Sequence, residues 1–532
     1  MLKNLFALTL ISLFFLSCSS DSSSSDDVIP PNSGNSPISE EDTTAPVVSI
    51  SDILDVVEVL TPIQFSITDS SNNVTTQIFI DDTEVFSSQE KQFIFELDPY
   101  DFPSGAKTMR VVSEDSSENE TTENVSFELK RLLFRLPDAQ GRISNSFQDY
   151  FMALNSQDGE LLASAKLVSD DELSFYAEDD FERQDIVATL YILFPDPNTS
   201  PRGFVLSFDD VPAGTIALSD AEIDEIYNLN TRSGSFQLDM MDAASDTDFY
   251  MNGKDVSLIS LSSFAEGNFS ESGSYDPNSS VPAFIYSNPE NVNDLGAYQY
   301  LFIDNLEENT SVSFDDFLPL QETNQIDIPN EVSDFTFELR AYEDEAGFDL
   351  GEYSTVLRFR GNRDDENGIL NIPQLSEFDV YQQNFNATIS PTLSWNGFFK
   401  GFGTPTLPSW NAALQGTEVV ASGDFDVAQF IVVFTSPTTF DDLTWIYHAE
   451  NKPLYRNPFD NFVLPDAVAT FLNNDQIDTS GFDQITFFRA DLFEYEEEFN
   501  MSETVFTGFP FLNSKGDQQI VGFTLINDPI FP

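Results

Sequence analysis

Apolar and polar residues alternate with a period of two at many places along this 532-residue chain. In "PIQFSITDSS" the apolar residues Ile63, Phe65 and Ile67 are separated by polar ones, and in "QFIFEL" Phe95 and Leu97 continue the pattern. Successive side chains of a β-strand point to opposite faces, so this spacing predicts strands with one buried face. Helical spacing is rare by comparison. We therefore expect a mainly β protein with a few short helices.

Turn residues separate the predicted strands. Asp158-Gly159 lies between two apolar segments, and this pair predicts a hairpin because it adopts the positive φ angles of a tight turn. Two other segments predict short helices. In residues 218–229, Ser219 and Glu222 have the spacing of a capping box, with Ile223, Ile226 and Tyr227 on one face. The segment "LPDAVATFL" at 464–472 is the second, shorter candidate.

The charge balance limits the partners that the protein can have. The chain has 22 basic and 91 acidic residues, which gives a formal net charge of −69. Such a chain is repelled by nucleic acid and by anionic membrane surfaces, so phosphate-backbone binding is excluded. Hydrophobic residues make up 40% of the chain, with 52 Phe, so there is material for several folded cores.

The first residues predict export. Lys3 is followed by the apolar run 5–16, about a dozen residues long, whereas a membrane-spanning helix needs roughly 20. Cys18, the only cysteine, ends this run. The segment resembles the lipobox of bacterial lipoprotein signals, although Phe15 stands where Leu is usual. The resemblance implies a signal peptide at 1–17 and a diacylated, palmitoylated Cys18 that anchors the protein to a membrane; the alternative is a buried thiol in an ordinary signal.

Residues 18–45 are rich in Ser, Asp, Pro and Gly and contain few apolar residues. Burial cannot offset the chain entropy of such a segment, so we expect a flexible tether. An acidic, serine-rich stretch behind a lipidated cysteine resembles the export signals of surface lipoproteins in Bacteroidetes. It implies an outer-membrane protein that is exposed at the cell surface; the alternative is a plain linker.

Residues 46–130 form the clearest predicted module. "DTTAPVVSI", "QIFIDDTEVF" and "SGAKTMRVVSEDSSEN" follow one another in the order found in bacterial Ig-like domains, which the segment resembles. The resemblance implies a β-sandwich and brings no catalytic residue. Three further β-rich modules are expected at 131–250, 251–372 and 373–532, which makes the chain a tandem array of β-sandwiches behind the signal and tether.

A short motif suggests that these later modules are related. "SFDDV" (207–211), "SFDDF" (313–317) and "TFDDL" (439–443) recur along the chain. A buried Phe and two acidic residues at a strand end would explain the pattern as a repeat. Chance similarity in a chain rich in Asp and Phe is the alternative.

Catalytic signatures are scarce in the sequence. His448 is the only histidine, and no G-x-S-x-G, H-E-x-x-H or glycine-rich phosphate loop accompanies it. We interpret it as a surface residue or a packed neighbour of aromatic side chains. A pair of carboxylates could still hydrolyse glycosidic bonds, because that reaction needs only two acids at the right separation. The sequence therefore favours a protein that is not an enzyme, with a polysaccharide hydrolase as the alternative.

Two kinds of binding site are predicted. Asp364 and Asp365 are candidate calcium ligands, since clustered loop carboxylates supply the oxygens that this ion prefers; solvated acids are the alternative, and no other cofactor is expected. Trp395, Trp410 and Trp445 are candidate ligand-binding residues, because an exposed indole can stack on a sugar face. Tryptophans are also common core residues, and we expect two of the three in a core and one exposed.

These features predict a non-catalytic, lipid-anchored surface protein that binds glycan or protein ligands. The arrangement resembles the general plan of the glycan-binding lipoproteins that accompany outer-membrane transporters in Bacteroidetes, which implies a glycan or an outer-membrane protein as partner. A purely structural spacer or adhesin is the third possibility.

Overall fold

The structure, a computed structural model, describes residues 42–51, 54–137, 148–168, 172–194, 202–219, 234–243, 247–253, 256–263, 267–275, 282–287, 295–304, 306–350, 353–364, 366–415, 418–436, 442–456, 462–479, 485–495 and 518–526. Cys18, most of the predicted tether and most of the predicted helix at 218–229 lie outside these residues. The chain folds into two compact units, which are residues 1–51, 64–93 and 110–124, and residues 52–63, 94–109 and 125–532.

The chain is mainly β, as the sequence predicts. Its first eight strands are β1 Val47–Ser51, β2 Val56–Val57, β3 Thr61–Thr68, β4 Val74–Ile80, β5 Thr83–Ser88, β6 Gln92–Leu97, β7 Gly105–Asp115 and β8 Glu120–Leu129. They form a three-stranded sheet in the order β1-β3-β6 and a five-stranded sheet in the order β2-β8-β7-β4-β5. The predicted alternation is confirmed in β3, where Ile63, Phe65 and Ile67 are buried and the intervening residues are more exposed.

The remaining strands and two α-helices belong to the larger unit. The strands up to residue 327 are β9 Leu132–Leu136, β10 Asp149–Ser156, β11 Leu161–Leu167, β12 Leu173–Tyr176, β13 Ile186–Leu193, β14 Gly203–Val211, β15 Thr215–Ile216, β16 Gly234–Ala243, β17 Thr247–Gly253, β18 Val256–Ser263, β19 Gly267–Tyr275, β20 Ala283–Ser287, β21 Gln299–Ile303, β22 Asn309–Ser313, β23 Leu318–Pro319 and β24 Glu322–Asp327. The later strands are β25 Asp334–Tyr342, β26 Ser354–Asn362, β27 Ile369–Gln374, β28 Val380–Ser390, β29 Leu393–Lys400, β30 Asn411–Gln415, β31 Glu418–Ser422, β32 Val427–Thr435, β33 Asp442–Glu450, β34 Leu454–Arg456, β35 Ile485–Glu494 and β36 Gln518–Ile526. The helices are α1 Glu345–Leu350 and α2 Asp466–Asp475, and short 3₁₀ turns occur at Pro99–Asp101, Leu295–Ala297 and Phe314–Asp316.

A twelve-stranded sheet organises this unit. Its order is β11-β10-β13-β14-β33-β32-β35-β36-β29-β28-β25-β26. Neighbouring strands in it run antiparallel, except β14 and β33, which run parallel with Val205 opposite Trp445. Strands from 131–250, 251–372 and 373–532 all enter this one sheet. The boundaries near 250 and 372 stay predictions.

Smaller sheets cover the twelve-stranded sheet. Strands β9, β12 and β15 pack Phe134 and Phe175 against one face of β10, β13 and β14. Strands β30, β31 and β34, with Val468 and Leu472 of α2, cover the opposite face near β32 and β33. Strands β20, β21, β24 and β27 cover the same opposite face further along, where Phe337, Phe385 and Trp395 are buried.

Three local predictions can be compared with the structure. The hairpin of β10 and β11 is confirmed, with Gly159 at a φ of 89°. The helix predicted at 464–472 is confirmed as α2. The two described copies of the short motif differ, because 207–211 ends strand β14 whereas 314–316 is a 3₁₀ turn capped by Ser313. These two similar sequences therefore adopt different local structures.

No helix among the described residues is long and apolar enough to span a membrane.

Candidate functional site

One face of the twelve-stranded sheet is polar over its last six strands, β35-β36-β29-β28-β25-β26. Strand alternation places Phe335, Phe337 and Leu339 of β25 in a buried core, and it places Thr336 and Glu338 on the other face. The same alternation holds on the neighbouring strands. We call this second surface the polar face; its described side chains are those of Arg489, Asp491, Phe493, Ile520, Ser394, Asn396, Phe398, Lys400, Gln382, Asn384, Asn386, Thr388, Asp334, Thr336, Glu338, Arg340, Arg358, Arg360 and Asn362.

A cavity of about 450 Å³ opens on the polar face. Its size lies within the range of roughly 300 to 1,000 Å³ that is typical of small-molecule sites. The lining residues come from five strands and combine amide, hydroxyl and charged groups with a few apolar ones: Asn386, Ser394, Trp395, Asn396, Gln429, Ile431, Arg489, Asp491, Phe493 and Ile520.

An ion pair between Arg489 and Asp491 of β35 forms part of this lining. Arg489 Nε donates to both carboxylate oxygens of Asp491, at 2.7 and 3.0 Å, and Arg489 Nη2 donates to Ser394 Oγ at 3.0 Å. Asp491 is only 5% exposed, so burial raises the pKa of its carboxyl, while the Arg489 guanidinium partly opposes this rise. The pair fixes a guanidinium and a carboxylate inside the cavity.

Gly522 of β36 makes room for this network. A Cβ atom at residue 522 would lie 2.6 Å from Ser394 Oγ, and closer still to Arg489 Nη2 and Asp491 Oδ1. The register places Gly522 opposite Ser394 on one side and opposite Asp491 on the other. Glycine at this position of β36 therefore leaves the space in which the side chains of β29 and β35 meet.

Two amide oxygens on the polar face have unused hydrogen-bonding capacity. Oδ1 of Asn396, which lines the cavity, and Oδ1 of Asn384 are buried and accept no hydrogen bond among the described residues. A buried acceptor without a donor is unfavourable by roughly 1–3 kcal/mol. A ligand with hydroxyl or amide donors would satisfy such an oxygen.

His448 lies where the polar face meets the covered part of the sheet. Its imidazole is 3% exposed and stacks on Phe208 with 4.7 Å between ring centroids. Its Nδ1 donates to the Ser207 carbonyl at 3.3 Å, and its Nε2 accepts from the Gln429 side-chain amide at 2.8 Å. Burial lowers the pKa of this imidazole to about 4, so it is neutral at pH 7 and packed among aromatic and amide groups.

The structure buries two of the three tryptophans, which is the number that the sequence analysis expects in a core. Trp395 and Trp445 are each 1% exposed, because they pack inside the cores on the side of the sheet opposite the polar face. Their indole N–H groups donate to Gln519 Oε1 and Ser207 Oγ, at 3.2 and 2.7 Å, and the near-complete burial of both rings leaves neither with a face open to a sugar. Trp410 is partly buried, packs edge-on against Phe425, and stays a candidate.

The predicted calcium ligands do not form a described cluster. The Asp364 side chain is 94% exposed and lies 4.0 Å from Arg363, while Asp365 lies outside the described residues. The structure brings together another group in the smaller unit, Asp42, Asp69 and Asp115, with carboxylate oxygens within 4.8 Å of one another. These are the described residues that could hold a cation. The side-chain amide of Asn119 hydrogen-bonds to the Asp115 carboxylate and helps lower the pKa of Asp115.

A pair of neighbouring acidic residues, Asp209 and Asp210, forms ion pairs with a lysine of the same chain. Lys452 Nζ lies 3.2 Å from Asp209 Oδ2 and 2.6 Å from Asp210 Oδ2. Burial and the neighbouring Asp209 carboxylate raise the pKa of Asp210, and the Lys452 ammonium opposes this rise. The Lys452 ammonium therefore balances part of the negative charge of these two carboxylates.

Arg489, Asp491, Ser394 and Gly522 were not among the residues predicted from the sequence. A usable signal exists in "TFFRADLFE", where two charged residues alternate with buried Phe, Ala and Leu and therefore share the other face of the strand. Nothing in the sequence indicates that Ser394 and Gly522 lie beside them.

No protein-family model matches the chain, and no curated protein matches it. Solved structures with local similarity include fibronectin(III)-like modules of Clostridium thermocellum CbhA, with 10% identity over 28% of this chain and 87% of that one, and a TM-score of 0.16. The Bacillus anthracis TIE protein is 10% identical over 68% of this chain and 73% of that protein, with a TM-score of 0.17. Bacteroides ovatus SGBP-B, solved with a mixed-linkage heptasaccharide, is 9% identical over 63% of this chain and 97% of that protein, with a TM-score of 0.15.

Proposed function

We propose that this chain is a non-catalytic binding protein, anchored at the cell surface through a lipid on Cys18, and that the cavity on the polar face is its ligand site. The ligand is a glycan or a polar group of a protein partner, such as an outer-membrane protein. The observation that carries the proposal is the cavity lining, in which amide, hydroxyl and charged groups, together with four apolar side chains, surround a space of about 450 Å³.

The lining favours binding over hydrolysis. Glycoside hydrolysis needs two carboxylates about 5–10 Å apart, one of them able to donate a proton. Among the described lining residues only Asp491 carries a carboxylate, and Arg489 holds it in an ion pair. Amides and hydroxyls instead match the hydroxyl groups of a sugar as both donors and acceptors.

The site proposal is tested with the variant Gly522→Ala in the full chain, purified in detergent. The added methyl group displaces the ends of Arg489, Asp491 and Ser394, which are flexible side-chain atoms, so the fold is expected to survive. On a glycan array, we expect the wild type to bind at least one glycan and the variant to bind it at least tenfold more weakly, because several hydrogen bonds are lost at once.

Gly403→Ala is the matched control, since a Cβ atom there meets no atom within 4 Å. It should bind like the wild type. Equal binding by the wild type and Gly522→Ala would show that the cavity is not the ligand site.

The anchor is tested with Cys18→Ser. In a detergent phase separation of bacterial cells that express the protein, the wild type should enter the detergent phase and the variant the aqueous phase, because two or three acyl chains hold a protein firmly on a bilayer. If the variant stays in the detergent phase, or if mass spectrometry finds no acyl group on Cys18, the anchor is wrong.

A further inference from the structure

The polar face differs in charge from the rest of this acidic chain. The whole chain has 22 basic and 91 acidic residues. On the six strands of the polar face, five basic side chains (Arg340, Arg358, Arg360, Lys400, Arg489) accompany only three acidic ones (Asp334, Glu338, Asp491). Charges beyond about 8 Å are largely screened at physiological salt, so a ligand on this face experiences the local excess of positive charge rather than the net charge of the chain.

Three of the basic side chains already have partners. Arg489 pairs with Asp491, Arg340 Nε donates to Glu338 at 2.6 Å, and Lys400 lies 2.6 Å from Glu345. Arg340 is also held between the rings of Tyr353 and Phe398, at 4.2 and 4.9 Å.

Arg358 and Arg360 of the edge strand β26 differ from these three. Both are exposed, and neither forms an ion pair with a described residue. They extend from the polar face with their guanidinium groups accessible to solvent. A guanidinium binds carboxylate and sulfate groups through two parallel hydrogen bonds.

The register connects these arginines with the cavity. Arg360 lies opposite Thr336, Thr336 opposite Asn386, and Asn386 opposite Asn396, which lines the cavity. This row of polar side chains crosses four adjacent strands, about 15 Å at the usual strand spacing of about 4.8 Å. A ligand with several sugar units could follow the row from the cavity to the edge strand.

We infer that the ligand of the polar face is an anionic oligosaccharide, whose carboxylate or sulfate groups bind Arg358 and Arg360 while its hydroxyl groups bind in the cavity. This inference rests on the proposed function and adds the charge of the ligand. Arginines on an edge strand also prevent sheets of different molecules from pairing, and this alternative role makes its own prediction.

The experiment measures binding of the full chain to polygalacturonate, dextran sulfate and uncharged dextran at low and high salt. The variants are Arg358→Gln/Arg360→Gln and, as a control, Arg110→Gln/Arg183→Gln, which removes two positive charges away from the polar face, in β7 and between β12 and β13. We expect the wild type to bind an acidic polymer more tightly than dextran, and the first variant to lose about tenfold, since each ion pair is worth up to about fivefold at an exposed site. The loss should shrink at high salt, and the control should bind like the wild type.

The outcomes separate the two proposals. A preference for polygalacturonate or for dextran sulfate would distinguish carboxylate from sulfate as the bound group. Neutral glycans that bind as tightly as acidic ones, and that Gly522→Ala releases, would keep the proposed function and overturn the anionic ligand. Unchanged binding with self-association of Arg358→Gln/Arg360→Gln would overturn it as well, because the arginines would then serve only the sheet edge. If the Gly522→Ala variant binds acidic polymers as tightly as the wild type, the proposal that the cavity holds part of the ligand is wrong, and Arg358 and Arg360 bind the polymer without it.

Discussion

The two ends of the twelve-stranded sheet contrast with each other. At one end, strand β13 contributes Val187 and Tyr191 to the core on one face, and Ala188 and Leu190 to the core on the other. At the other end, β28 places Phe385 and Ala387 in the core on one face, and Gln382, Asn384 and Asn386 on the polar face. A strand buried on both faces is committed to stability, whereas a strand with one polar face can hold the side chains that bind a ligand.

The sequences of these strands show the same contrast. "IVATLYIL" of β13 is a nearly continuous apolar run, whereas "VYQQNFNATIS" of β28 contains four amides, and these alternate with apolar residues from Asn384 to Ala387. Both types of strand belong to one hydrogen-bonded sheet. A single sheet therefore provides a rigid, doubly covered base for a polar face that is built on strands rather than on loops.

The largest expected effect tests whether the covered end really carries stability. Leu154 of β10 is fully buried, and Leu154→Ala should lower the free energy of unfolding by about 2–5 kcal/mol, from lost burial and the cavity left behind. Asn386→Ala, on the exposed part of the polar face, should change it by less than about 0.5 kcal/mol. Urea denaturation of both variants measures the difference. Similar losses at the two positions would remove the contrast.

A pH-dependent effect of intermediate size is expected at the boundary between the two ends, where His448 is buried. The folded protein keeps the pKa of this imidazole at about 4, while the unfolded chain has the usual value near 6.5. Between these values the unfolded chain binds the proton and the folded protein does not, so stability rises with pH from about 4 to 6.5. The full effect amounts to about 3 kcal/mol.

The variant His448→Gln isolates this contribution from the many carboxylates that also titrate in acid. It keeps a polar side chain near Gln429 and has no titratable group. As the pH rises from 4 to 6.5, the wild type should gain stability relative to the variant. Above pH 6.5 the difference in unfolding free energy between the two proteins should be constant. A difference that does not depend on pH would mean that the imidazole has the same pKa in the folded protein and in the unfolded chain.

A smaller effect is expected from the ion pair on the polar face. Arg489→Leu leaves the buried Asp491 carboxylate without its partner and should destabilise the fold by about 2 kcal/mol, less than for a fully buried pair because Arg489 is about one-third exposed. The variant should raise the pKa of Asp491 further, so its loss of stability should grow as pH rises above 4. Adding Asp491→Asn should restore most of the lost stability. If it does not, the pair contributes to packing rather than to charge balance.

Much of the secondary structure can be predicted from local sequence, because its causes are local. Alternation at Ile63, Phe65 and Ile67 predicts β3, and Asp158-Gly159 predicts the hairpin of β10 and β11. The candidate site could not be predicted in the same way. Ser394 and Arg489 are 95 residues apart in the chain, and they meet only because β36 lies between their strands.

The positions of the tryptophans also could not be predicted from the sequence alone. Their residue type fits both a sugar platform and a core, and sequence cannot choose between these roles. Trp445 is buried because β33 pairs with β14, whose Ser207 lies 238 residues away and accepts the indole hydrogen bond. Pairing across such a distance decides which side of the sheet each tryptophan faces.

The sequence by itself determines the β class of this protein, the strands that have one or two apolar faces, and the tight turn at Gly159. Strand alternation and backbone geometry are properties of a few neighbouring residues, and they act wherever those residues occur. The tertiary structure alone decides that Gly522 leaves room for Arg489, Asp491 and Ser394, and that Arg358 and Arg360 lie in line with the cavity. The reason is that register between distant strands depends on the packing of the whole sheet, since a slip of one residue would turn every one of these side chains to the opposite face.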